Sequence, residues 1–125
     1  MMKKTGLFLI VLISMLMAAQ SHGLGLGMLD FLPVKHFTDE DWTMAKASAG
    51  KALQQGKEGQ VFTWLNEANN HKGAYKLLNI LEVDGRACRD LYIRHITRNY
   101  KGSGSYRFCK MDSGEWKTTG RTPDE

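Results

Sequence analysis

An α+β domain, one N-terminal helix packed on an antiparallel meander of four or five strands, is the fold class that this sequence predicts, and three observations carry it. A capped helical segment opens at Thr38, and no second helical pattern follows it. Strand-forming runs separated by turn signals fill the rest of the chain to about Thr119. Cys88 and Cys109 sit on two of those runs at a spacing that a turn at Gly102-Ser103 cannot bridge and a turn at Arg98-Asn99 can.

The chain begins with the basic residues Lys3 and Lys4, followed by a charge-free run from Gly6 to Ala19. A comfortable transmembrane helix wants ~20 apolar residues, so this run is short for a span. Ala18, Ala19, Ser21 and Gly23 follow at the distance a signal peptidase needs. Residues 1–23 are therefore expected to be a signal peptide, cleaved after Ser21 or after Gly23. Loss of Lys3 and Lys4 lowers the net charge from +4 to +2. About a hundred residues then remain, enough for one small domain. Residues 24–37, which alternate Gly and Leu before Pro33, read as a flexible linker.

Thr38 can cap the free N–H groups of a helix, and Asp39, Glu40 and Asp41 place negative charge at its positive end. Trp42, Ala45, Ala49, Ala52 and Leu53 fall on one face, and Gly56 is the expected stop. Val61–Asn66 reads as the first strand, followed by a polar loop from Glu67 to Gly73. Tyr75–Val83 reads as the second strand, apolar on both alternations and so expected to be buried on both faces. Asp84-Gly85 is a tight-turn signal, and Asp112-Ser113-Gly114 marks a second reversal with Gly114 in the left-handed region. The last strand spans about Glu115–Thr119, ahead of a polar tail, residues 120–125, expected to be disordered.

Two cysteines in an exported domain read as a bridge. If the intervening turn centred on Gly102-Ser103, Cys109 would face Ile96 and lie about 26 Å from Cys88 at ~3.3 Å per residue. A disulfide needs Cα atoms within about 7 Å. Setting Cys88 opposite Cys109 moves the turn to Arg98-Asn99 and leaves residues 96–104 as an irregular link. The same register pairs Asp90 with Arg107 and Leu91 with Tyr106.

The series Trp64-x-Asn66, a loop ending in Gly73, Gly85-Arg86-x-Cys88-Arg89-x-x-Tyr92, Cys109-Lys110 and Asp112-x-Gly114-x-Trp116-Lys117 resembles the surface-antigen domain of the rickettsial-type 17-kilodalton outer-membrane antigens. The resemblance covers residues 38–118. It implies a bacterial envelope setting, periplasmic or outer-membrane associated, and brings no enzymatic activity with it. Members of that family are typically lipoproteins with a glycine zipper before this domain. Here no cysteine precedes Cys88, and residues 23–27 are at most a zipper remnant.

Chemistry-bearing motifs are sparse. His22, His36, His71 and His95 lack ligand spacing, so no metal or other cofactor is expected. No nucleophile elbow or phosphate-binding loop is present. Asp90 and Glu82 read as an ion-pair partner and a surface charge, and the cysteines are too far apart for redox catalysis. Between Lys76 and Lys110, however, eight basic residues stand against three acidic ones, with Tyr92, Tyr100 and Tyr106 among them. Arg94, Arg98, Lys101 and Arg107 are the candidate binding residues, for an envelope component, an anionic head group or a partner protein. Export argues against nucleic acid. The reading is an exported, non-enzymatic envelope or surface protein, a structural or binding module with no membrane span after signal cleavage. The alternative is a small secreted inhibitor or effector that inserts its Arg98–Gly104 loop into a partner. A third possibility, a hydrolase-like enzyme, would announce itself by a polar pocket around a perturbed carboxylate or histidine.

Overall fold

The computed structural model describes residues 33–123. The signal peptide with its cleavage points, most of the Gly/Leu segment and the last two residues lie outside the described residues. A short 3-10 helix, Pro33–His36, leads into helix α1, Asp39–Gln55, and five strands follow: β1 Val61–Asn66, β2 His71–Val83, β3 Arg86–Ile96, β4 Lys101–Lys110 and β5 Trp116–Arg121. They form one antiparallel sheet in the order β1-β2-β3-β4-β5, the α+β meander that the sequence predicts. Among the described residues no helix is long and apolar enough to cross a membrane.

The helix begins where its capping residues dictate. The Asp41 backbone N–H donates to the Thr38 hydroxyl, and the Thr38 N–H donates to the Asp41 carboxylate, a reciprocal capping box. Phe37, just before the cap, packs edge-on against Trp42 with ring centroids 5.3 Å apart, which fixes the angle at which the chain enters. At the other end the Arg89 guanidinium donates to the carbonyls of Ala52 and Gly56, so a cation from β3 closes the negative end of α1. Gly56 stops the helix in an extended conformation. It must be glycine because a Cβ there would lie 2.6 Å from the Ala52 carbonyl oxygen.

One face of the sheet takes the helix. Ala45, Ala49, Ala52 and Leu53 meet Trp64, Tyr75, Leu77, Leu91 and Ile93, and the core continues over Tyr106, Phe108 and Trp116. Small residues on α1 let it lie close to β1 and β2. Asp84 and Gly85 both take positive φ, as the tight β2–β3 turn requires, and Gly114 does so in the β4–β5 turn.

The expected register between β3 and β4 is found: Cys88 faces Cys109, Asp90 faces Arg107 and Leu91 faces Tyr106. The cysteines are disulfide-bonded, with Cα atoms 4.1 Å apart. Asp90, buried, receives Nε and Nη2 of Arg107 at 2.8 and 3.1 Å.

Four expectations change. The irregular link is shorter than residues 96–104, because pairing continues to Ile96–Lys101 and only Thr97–Tyr100 turns the chain. The Arg98–Gly104 segment is therefore mostly strand rather than an insertion loop. Strand β2 starts at His71, not Tyr75, since Gly73 is where Trp64 and His95 crowd the backbone: a Cβ would stand 2.8 Å from His95 Cδ2. Nor is β2 buried on both faces. A bulge between Leu77 and Asn79 shifts the alternation, and Ile80 emerges half exposed. The last strand runs to Arg121, and Thr122 beyond it is buried with its N–H on the Ser105 carbonyl.

Candidate functional site

The charged group deepest in the domain is Asp41, with no accessible surface. Burial alone would raise its pKa. The Thr38 N–H, His71, Asn66 and Asn69 all donate to the carboxylate, outweigh that penalty and hold it at about 2. The carboxylate is therefore an acceptor only, and His71 Nδ1, 2.6 Å away, must be the donor. Asn66 and Asn69 also fold the β1–β2 turn, accepting from the backbone N–H groups of Ala68 and His71. Helix, strand and turn thus converge on one carboxylate, which fixes the imidazole orientation and leaves Nε2 of His71 for anything outside.

His71 opens on a cleft of about 370 Å³ at the end of the sheet. Thr38 and Asn69 border it from the network side, and Thr97, Arg98, Asn99 and Tyr100 from the β3–β4 link. His36 stacks on Tyr100 at its rim, with centroids 4.3 Å apart. A carboxylate held low by its donors stands behind this cleft with a histidine on it. Among the described residues no hydroxyl or thiol is hydrogen-bonded to the outer ring nitrogen of His71. No group of three His, Cys, Asp or Glu side chains able to hold a metal occurs among the described residues.

Behind this network lies a second buried chain. Trp64 Nε1 donates to the Tyr75 hydroxyl, which is 2.6 Å from His95 Nε2. Since the hydroxyl accepts from Trp64, its own proton goes to His95, and the imidazole proton sits on Nδ1, which has no partner. Burial pushes Tyr75 up and lowers His95 to about 4. Between pH 6.5 and 4 the unfolded chain therefore binds a proton that the folded one refuses. Stability is full above about 6.5 and falls as the pH drops, by up to about 1.4 kcal/mol per unit. Denaturant midpoints measured across that window should show the slope, and His95→Gln should remove most of it. An equally steep slope in the variant would place the acid sensitivity elsewhere.

The four basic residues singled out in the sequence do not form one cluster. Arg94 and Lys101 lie close together on the sheet face away from α1, around a shallow hollow with Tyr92 and Ser103. Arg107 shares that face but is pinned to Asp90. Arg98 stands in the link and lines the His71 cleft instead. The strand register adds Lys72, which sequence reasoning missed, and Lys76, which it counted but did not single out, both exposed on the same face as Arg94. Three cross-strand rows result: Leu65, Lys72, Ile96, Lys101; Thr63, Ala74, Arg94, Ser103; Val61, Lys76, Tyr92, Ser105. They carry four cations and no acidic residue, with Val61, Leu65 and Tyr92 exposed between them. A hollow of about 490 Å³ between Leu65, Lys72, Ala74, Arg94 and Ile96 lies in this face.

No protein-family model matches the chain, and no curated protein and no solved structure resembles it at a significant level.

Proposed function

We propose that the protein is an exported, non-enzymatic binding module of the surface-antigen type, which lays its open sheet face against anionic lipid head groups of the envelope. The observation that carries this reading is the patch formed by those three rows, where Lys72, Lys76, Arg94 and Lys101 alternate with exposed Val61, Leu65 and Tyr92, while the acid on the same face, Asp90, is buried against Arg107. A flat surface of cations and apolar side chains matches a plane of phosphates over hydrocarbon, and each basic residue near such a plane contributes about 1 kcal/mol. The Cys88–Cys109 bridge suits an oxidising compartment.

Sedimentation with vesicles tests it. The mature protein should bind vesicles containing an anionic lipid, bind zwitterionic ones weakly, and dissociate as salt rises, since screening acts over ~8–10 Å at physiological ionic strength. Changing Lys72, Lys76, Arg94 and Lys101 together to Gln should weaken binding by about three orders of magnitude with little change in melting temperature. Equal binding to both vesicle types, or an unaffected variant, would overturn the reading.

A further inference from the structure

The cleft beside His71 plays no part in the sheet-face reading, and its chemistry is different. It combines an imidazole held by a buried carboxylate, an exposed guanidinium and an unsatisfied hydroxyl. Thr97 is 4% exposed and its hydroxyl has no partner, which is costly for a buried polar group unless something in the cleft meets it. Asp41 occupies Nδ1 of His71, leaving Nε2 as the ring nitrogen for a ligand. The lining carries no acidic side chain; Asp41 sits behind His71 with its oxygens already engaged.

We propose that this cleft is a binding site for the oxyanion of a small molecule, a phosphate or carboxylate group, held by His71 Nε2, the Arg98 guanidinium and the Thr97 hydroxyl. Its volume, about 370 Å³, suits a small ligand rather than a polymer. Arg98 supplies the permanent charge and a forked pair of donors that fits either oxyanion. Thr97 donates its hydroxyl proton, which relieves the unsatisfied group. Asp41 already accepts from Nδ1, so His71 donates to the anion from Nε2 as an imidazolium. The charged or titratable groups around His71 are Asp41 from α1, His36 from the segment before it, and Arg98 and Tyr100 from the β3–β4 link. Asp41 is a positioning residue here, because it acts on the ligand only through the imidazole.

Titration of the full mature protein with inorganic phosphate and, separately, with acetate tests the site by NMR. Saturable shifts are expected at the amides of Thr97, Arg98 and Asn99 and at the His71 ring. Phosphate alone, acetate alone or both producing them identifies the oxyanion class accepted. Arg98→Ala should weaken binding by about tenfold or more, the loss of one charge-assisted bond. Thr97→Val should weaken it less, and His71→Gln should weaken it as well. Arg98 is exposed, so Arg98→Ala stays informative even if His71→Gln fails to fold. Lys76→Gln with Arg94→Gln, which impairs the sheet face, should leave the shifts intact. Shifts lost in that pair but kept in Arg98→Ala would put the anion on the sheet and overturn this site while the lipid reading stands. No shift at the cleft with either anion, or binding unchanged in Arg98→Ala, would also overturn it.

Discussion

Asp41→Ala is expected to be the most damaging single change, costing about 3–5 kcal/mol of folding stability. The side chain accepts from the Thr38 N–H, two asparagine amides and an imidazole, with no accessible surface of its own. Its removal leaves those donors facing an empty space that water reaches poorly, and each unsatisfied buried donor costs about 1–3 kcal/mol. It also removes half of the capping box and releases the β1–β2 turn. Asp41→Asn should cost less, because an amide still accepts one or two of the bonds. Chemical denaturation of the three proteins measures the difference; a loss below about 1 kcal/mol for the alanine variant would mean that the network merely decorates a core held by packing.

Replacing Cys88 and Cys109 by Ala should cost about 3 kcal/mol on the chain-entropy account, since the bond closes a loop with a sequence separation of 21. The register should survive the loss. Arg107 and Asp90 form a two-pronged pair on the same strands, and Leu91 with Tyr106 buries the other face of the same ladder. The double variant should therefore unfold at lower denaturant with an equal or steeper dependence on its concentration, since the unfolded chain is no longer held compact, and reductant should shift the wild-type midpoint by a similar amount. A fall in that dependence would mean that the bond also maintains the compactness of the sheet.

Features fixed by local chemistry were legible in the sequence. Thr38 with three acids after it gives the helix start, Asp84-Gly85 needs positive φ, and the reach of a disulfide moves the β3–β4 turn from Gly102-Ser103 to Arg98-Asn99. What escaped is set by distant partners. His71, Lys72 and Gly73 look like loop in isolation; they are strand because Trp64 and His95 stand over Gly73 and Asn66 pairs with His71. Reading the strand from Tyr75 also hid Lys72, and with it the cationic face. Asp41 looks like one more acid at a helix start. Only the fold brings His71, thirty residues away, onto its carboxylate. A bulge of one residue at Leu78 likewise leaves no mark on a run of apolar side chains.

The consecutive strand order has a consequence for how the chain acquires its shape. Every strand pairs with its neighbour in sequence, and α1 lies on the two strands that come next. Structure can thus accrue from either end of any hairpin, without waiting for a remote segment to arrive, and such wiring favours rapid folding. The disulfide lies within one hairpin, so it can be oxidised once β4 has paired, and with two cysteines there is no wrong partner to undo. A closure of longer range is made where the 3-10 helix meets β3, with Phe37 edge-on to His95 at 5.0 Å. That contact seals the domain from its N-terminal side, beside the cleft, and it can settle after the sheet has formed.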